Sequence, residues 1–149
     1  MTYKNEYMLA FERHCAALRK KDKAVLIGGD MNVGLNEIDV YFTEKSYKQP
    51  GFTYEERNSF RNFLSKGWVD TFRRLNPKKI QFTWWSSEYH NRERNQGKRL
   101  DYFLVNKESV EIVRRSVILG DVMGSDHCPI WAEINLEHLK LAHNKSESS

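Results

Sequence analysis

This sequence lacks most of the features that would send a chain out of the cell or into a membrane. No apolar run approaches the ~18 residues that a membrane span requires. No stretch of the sequence is expected to act as a signal peptide, and cysteine is confined to Cys15 and Cys128. Two cysteines in an otherwise intracellular-looking sequence are expected as reduced thiols. A strong charge of one sign is also missing. With 24 Lys+Arg against 20 Asp+Glu, the net charge is +4, which is compatible with nucleic acid but too mild to prove it. There is no internal repeat and no domain boundary. The 149 residues, 40% of them hydrophobic, are enough for one globular domain with its own core.

The chain alternates helical and strand patterns. Met8, Phe11, Cys15 and Leu18 recur at helical spacing, predicting an amphipathic helix over about 6–21 with a basic end at Arg19-Lys20-Lys21. The run Ala24 to Gly28 has strand length. Residues 34–51 show no period and read as a long loop, which in a compact domain is usually functional. Thr53-Tyr54-Glu55-Glu56 is a capping box, opening a helix through Phe60, Phe63 and Leu64 that ends at Gly67. Trp68–Phe72 begins a short helical segment that stops at Pro77. Residues 80–85 and 100–105 read as strands, 86–97 as a polar loop, and 109–115 as a helix. The last strands are 117–119 and 130–136, and the tail from His138 to Ser149 is polar and expected to be frayed. This alternation gives an α/β or α+β class.

Three short motifs sit at the ends of apolar runs. Gly29-Asp30-Met31-Asn32 follows Ala24–Ile27, Arg99-Leu100-Asp101-Tyr102 opens Phe103–Val105, and Ser125-Asp126-His127 precedes Pro129–Trp131. Strands that end in carboxylates, an amide and an imidazole are how a sheet assembles a metal-dependent hydrolytic site. Each has a plainer reading. Gly-Asp and Asn form turns, and for that tetrapeptide alone this is the stronger reading. Asp101 shares parity with Phe103 and Val105 and should face inward, where a buried carboxylate needs a partner. Parity leaves open whether that partner is a histidine or a structural base such as Arg99. Ser125-Asp126-His127 could be a polar turn stopped by Pro129, yet three such motifs in one chain favour chemistry. His14, His90, His138 and His143 have no such setting and are expected at the surface. Trp84 and Trp85 adjoin a loop bearing Arg92, Arg94, Lys98 and Arg99, a pairing suited to stacking and phosphate neutralisation. One of two adjacent strand tryptophans must nevertheless point inward.

In this order the motifs resemble the exonuclease III type of apurinic/apyrimidinic (AP) endonuclease, within the endonuclease/exonuclease/phosphatase superfamily. The matching stretches are residues 29–33, 37–39, 51–53 with Glu56-Arg57, 67–73, 83–86, Gly97 with 99–103, and 124–129. Gly-Asp-x-Asn and Ser-Asp-His mark the whole superfamily, while Gly51-Phe52-Thr53, Asp70-Thr71-Phe72-Arg73 and Arg99–Phe103 point to its DNA-repair branch. The resemblance implies hydrolysis of the phosphodiester 5′ to an abasic site in double-stranded DNA, assisted by Mg²⁺ or Mn²⁺, with 3′-to-5′ exonuclease activity left open. Extruding an abasic nucleotide costs less than flipping a paired base, which favours the lesion.

The resemblance also implies residue roles. Asp30 would position or deprotonate the attacking water, and Asn32 would hold the scissile phosphate. Asp101 would orient His127, whose imidazole would stabilise charge on that phosphate. Asp30, Asn32, Asp126 and His127 would surround the metal. Trp84, Trp85, Lys98, Arg99 and Leu100 would contact substrate, with Trp84 and Leu100 walling the pocket for the extruded sugar. Lys98 stands where the family often has Trp. Ser46 and Gln49 stand where many relatives carry Asn that contacts DNA or product. Such repair chemistry implies the nucleus in a eukaryote and the cytoplasm in a bacterium.

The implied fold is a four-layer α/β sandwich, of which this sequence carries the C-terminal half over 1–137. The strand-end Asn or Asp, metal-binding Glu and Tyr of the N-terminal half are not among its motifs. The expectation is one mixed sheet with helices on its outer face and an apolar opposite face larger than a soluble monomer tolerates. Such a face calls for a complementing N-terminal half or self-association. Two other readings follow from the same motifs: a non-catalytic fragment that binds DNA or protein, and another phosphodiesterase such as a retrotransposon endonuclease.

Overall fold

The structure is a computed structural model that describes residues 3–20 and 23–137. The expectations of a frayed tail from His138 and of surface positions for His138 and His143 lie outside the described residues. The chain runs α1 (Tyr3–Arg19), β1 (Leu26–Asp30), α2 (Tyr54–Ser65), β2 (Trp68–Asp70), α3 (Thr71–Leu75), β3 (Asp101–Asn106), β4 (Val113–Ile118) and β5 (Ile130–Ile134), with short 3₁₀ turns in the loops. The α/β class is the one the sequence implies. The strands divide between two antiparallel sheets, β1-β3-β2 and β4-β5, rather than forming one mixed sheet. Two sheets flanked by helices correspond to part of a four-layer sandwich. No helix among the described residues is long and apolar enough to cross a membrane.

Strand alternation decides what each face of the first sheet carries. Ile27, Tyr102 and Leu104 face α1 and α2, where they form a core with Cys15, Phe60, Phe63 and Trp68. The rings interlock: Phe63 stacks on Trp68 at 5.7 Å, and Phe60 meets Tyr102 edge-on at 5.0 Å. The predicted capping box of α2 is formed, with Glu56 N–H donating to Thr53 Oγ1 and Glu56 Oε2 accepting from Thr53 N–H. The helix ends at Gly67, whose φ of +99° is the left-handed geometry that favours glycine. Arg19 fastens the end of α1 there: it donates to the Lys66 carbonyl and to Glu108 and lies over the Trp68 ring.

The opposite face carries Asp30, Gly28 and Leu26 on β1, paired with Asp101, Phe103 and Val105 on β3. The expected bare apolar face is only partly so. Val105 is fully buried against Ile112, Val113 and Ile134, while Leu26 and Gly28 are exposed and Phe103 is half-buried. A further core joins α3 to the second sheet through Phe72, Phe82, Trp85, Ile118 and Cys128.

Three local predictions differ from the structure. Trp68–Asp70 is a strand and only the following residues are helical, because Asp70 caps α3 by accepting from Arg73 N–H at 3.1 Å. The helix expected over 109–115 is a 3₁₀ turn, Lys107–Ile112, that runs into β4. Residues 80–85 form no regular strand. Trp84 makes single bridges to Lys98 on one side and His127 on the other, so the segment clips two regions together instead of extending a sheet. Cys15 and Cys128 are free and buried, and burial pushes both thiols up.

Candidate active site

The edge of the first sheet and the loop between β4 and β5 converge on one small constellation. Asp30 ends β1 and stands directly opposite Asp101, which opens β3. Like charges in such a cross-strand position repel. The imidazole of His127 answers this arrangement, with Nδ1 2.8 Å from Asp101 Oδ2. An ionised carboxylate only accepts, so Nδ1–H is the donor and Nε2 is left to accept from another partner. Asp101 is largely buried, at 15% side-chain exposure, against 32% for His127. The inward-facing Asp101 thus takes the histidine, and Arg99 is engaged elsewhere.

Beyond β1 the backbone turns sharply. Asn32 N–H donates to Asp30 Oδ1 at 2.7 Å, closing an Asx turn, and Asn32 takes the left-handed conformation at φ 51°. Asparagine tolerates that region better than most residues. The sequence leaves turn-forming and chemistry open for this tetrapeptide, and the structure shows the turn together with its exposed Asp30 and Asn32 side chains beside the Asp101–His127 pair.

The His127 loop is held by residues whose sequence gave little sign of it. The Thr83 hydroxyl accepts from both Leu100 N–H (2.9 Å) and Asp101 N–H (3.0 Å), while Thr83 C=O accepts from Cys128 N–H (2.8 Å). Thr83 is fully buried, and it ties the start of β3 to the residue after His127. Trp84 Nε1 donates to Asp126 Oδ2 at 3.0 Å. That bond, and a lesser one from Ser125, hold the Asp126 carboxyl below the usual carboxylate range. Arg92 caps the carbonyls of Gly120, Val122 and Ser125 and stacks over Trp85 at 4.6 Å.

Several residues expected at the substrate are engaged within the fold. Arg99 is completely buried: Nε donates to Asp39 at 2.8 Å, and Nη2 donates to Asp70 at 2.7 Å. Its guanidinium also lies 4.3 Å from the Tyr102 ring centre. Arg73 donates to the same Asp39 oxygen at 2.6 Å. This network holds the long 34–51 loop to the mouth of β3, so Arg99 has no surface to offer a substrate. Trp85 is the inward member of its pair and lies in the core. Leu100 is 5% exposed and sits below Gly51. Ser46 is buried, its hydroxyl accepting from Thr43 N–H, whereas Gln49 remains exposed. Trp84 and Lys98 keep partly open side chains. His14 and His90 are exposed as expected.

Asp39, Asp70 and Arg73 lie within family-like stretches, but their pairing with Arg99 was not read from the sequence. The available signal was the coincidence of two acidic and two basic residues in otherwise apolar motif segments. Burial raises the Asp39 carboxyl, yet Arg99 and Arg73 outweigh it and leave the group below its ordinary range.

Among the described residues no group of three or more His, Cys, Asp or Glu side chains is placed to hold a metal ion. Both Asp126 oxygens already accept hydrogen bonds, from Trp84 and from Ser125. Magnesium takes near-octahedral oxygen ligation, completed in part by water, and no cluster of three such side chains is assembled for it among the described residues.

A catalytic-looking pair at the edge of a helix-flanked sheet agrees with the family relationship. The chain belongs to the Endonuclease/Exonuclease/phosphatase family, whose sequence pattern it matches over residues 2–127. It is 45% identical over 116 residues to a DNA-(apurinic or apyrimidinic site) endonuclease of Dictyostelium discoideum, covering 76% of this chain and 32% of that protein. It is 41% identical over 115 residues to an exodeoxyribonuclease of Bacillus subtilis, covering 76% of this chain and 46% of the relative. Among solved structures it resembles the Xenopus laevis APE2 catalytic domain with a TM-score of 0.75 and 32% identity, over 87% of this chain and 42% of that one. The chain thus spans less than half the length of these curated relatives.

Proposed function

We propose that this chain is the C-terminal half of an enzyme that hydrolyses the phosphodiester 5′ to an abasic site in duplex DNA. The observation that carries the reading is the Asp101–His127 bond, formed across 26 residues of sequence directly beside Asp30. In this reading Asp101 fixes the imidazole so that Nε2 faces the scissile phosphate, where it stabilises developing charge. Asp30 orients the attacking water, and the Asn32 amide holds a phosphate oxygen. Trp84 offers an aromatic wall to the extruded sugar. The similarity to the Dictyostelium and Bacillus proteins, both named as nucleases acting on DNA, supports the substrate class.

The magnesium ion implied by the family resemblance would need ligands beyond those gathered among the described residues. Its further ligands are assigned to the complementing N-terminal half. That half would also cover the exposed Leu26 and Gly28 end of β1.

The test is incision of a labelled duplex bearing one tetrahydrofuran abasic analogue, with magnesium or chelator. This chain is assayed alone and mixed with a polypeptide comprising the N-terminal remainder of the Dictyostelium relative. Magnesium-dependent cutting 5′ to the analogue, lost in Asp30→Ala and His127→Ala, is the expected result. A folded chain that binds abasic and intact duplex equally and cuts neither in the mixture would overturn the reading.

A further inference from the structure

Lys98 is not placed like a surface lysine. Its backbone is bridged to Val40 on one side and Trp84 on the other, and Trp84 is bridged in turn to His127. The side chain turns back over the protein: Nζ donates to the Pro50 carbonyl at 2.7 Å and lies 5.8 Å from the Trp84 ring centre. Both residues line a cavity of about 380 Å³ whose other walls include Thr43, Gln49, Asn91 and Gln96. That volume is within the range of small-ligand sites. The cavity also shares Trp84 with the Asp101–His127 constellation, since the Trp84 indole holds Asp126. Where the family often places an indole, this chain places a primary amine.

The surroundings favour the amine as a nucleophile. Half-burial lowers the Lys98 pKa, and the negative charge of Glu56 only partly restores it. Glu88 is the carboxylate that lines the cavity, and it is exposed. The Pro50 carbonyl can be served by a neutral amine as well as by an ammonium group, so deprotonation does not dislodge Nζ. A desolvated lysine of this kind is the usual basis of imine formation with carbonyl compounds.

We propose that Lys98 captures the aldehyde of a ring-opened abasic nucleotide as a covalent imine, a second and reversible engagement of the lesion beside the hydrolytic site. The inference rests on the abasic substrate of the preceding section. An abasic deoxyribose in its open form exposes a C1′ aldehyde. The Nζ lone pair attacks that carbon, forming the N–C bond as the carbonyl π electrons move to oxygen. The two protons on nitrogen pass to that oxygen, which leaves as water, and the N=C double bond forms. No oxidant or reductant is consumed. The consequence is selectivity for a true abasic site over any analogue without a carbonyl.

The experiment incubates the full chain with a duplex carrying one enzymatically generated abasic site in the presence of cyanoborohydride, which reduces an imine to a stable amine. Adducts are resolved by denaturing gel and mapped by mass spectrometry. A parallel duplex has its abasic aldehyde already reduced to the alcohol. The expected result is a cross-link with the aldehyde duplex alone, located at Lys98, lost in Lys98→Arg and kept in Lys78→Arg, an exposed control. Thermal melts of both variants establish that they are folded. Cross-links spread over other lysines and undiminished in Lys98→Arg would overturn the proposal.

Fluorescence anisotropy with the tetrahydrofuran duplex separates the two levels of argument. Selective binding of that duplex without a Lys98 adduct removes only the imine. Absence of both selective binding and adduct removes the abasic substrate as well.

Discussion

Asp101 and His127 are joined by a 2.8 Å bond between Oδ2 and Nδ1, although one opens β3 and the other lies in the loop before β5. The bond fixes which nitrogen carries the proton, and so what the outer nitrogen can do. In the enzyme reconstituted with its complementing half, His127→Ala should lower single-turnover incision by about 10²–10⁴-fold, the usual loss when a proton-transferring group is removed. Asp101→Asn, which keeps the shape and removes the charge, should lower it by about 10–100-fold, as for other groups that orient a functional histidine. ¹⁵N spectra of the His127 ring should show the two tautomers mixing in Asp101→Asn. An unchanged tautomer and unchanged rate would remove Asp101 from the site.

A second prediction concerns the buried charges. Arg99 satisfies Asp39 and Asp70 at once, and Asp39 also binds Arg73. Removing the central cation leaves two carboxylates inside the protein, so Arg99→Ala should cost about 3–5 kcal/mol of folding stability. Arg99→Lys should recover little of it, because an ammonium cannot reach both partners with the planar geometry of a guanidinium. Urea denaturation of the three proteins tests this. Midpoints within error of one another would show that the network is incidental.

The contrast between these two clusters explains what the sequence could and could not reveal. Asp30, Asp101 and His127 stand out in the sequence as polar residues beside apolar runs, and the structure brings the three together. The helices at Met8–Leu18 and Thr53–Leu64 were legible through period and capping. The partners of Arg99 are not legible, because its neighbours in sequence form a basic loop while Asp39 and Asp70 come from distant segments. Only the folded chain brings them to it. Trp84 and Trp85 show the same limit: alternation says that one points inward, but the assignment depends on Arg92 and the second core. The division into two sheets was hidden because residues 80–85 have strand composition but spend their backbone groups as single bridges to Lys98 and His127.

Acid should weaken the protein through Asp39. Its folded carboxyl is held below the ordinary range by Arg99 and Arg73 in spite of burial. A depressed folded value means that the group contributes its stability above the unfolded value, about 3.9, and loses it as pH falls from there through the folded value. Denaturant midpoints measured downward from neutrality should therefore hold until about pH 4 and then decline. The decline in Asp39→Asn, starting from a lower plateau, should be shallower over the same window. Parallel pH profiles in the two proteins would mean that other carboxylates dominate acid unfolding.

Gly97 offers a test of how the Trp84 wall is positioned. A methyl group there would lie 2.5 Å from Trp85 Nε1 and 2.6 Å from the Trp84 carbonyl, the second a backbone atom that cannot rotate away. The Gly97 carbonyl accepts from Tyr41 N–H at 2.7 Å, and the next residue, Lys98, exchanges backbone bonds with Trp84. The strain therefore falls on the segment whose indole holds Asp126. Gly97→Ala should cost about 1–3 kcal/mol, the range for forced overpacking, and should shift tryptophan fluorescence as Trp84 and Trp85 are displaced. Gly120 is the matched control, since a Cβ there meets nothing within 4 Å. If Gly97→Ala melts with Gly120→Ala and shows the same emission, the tryptophan pair is not braced by residue 97.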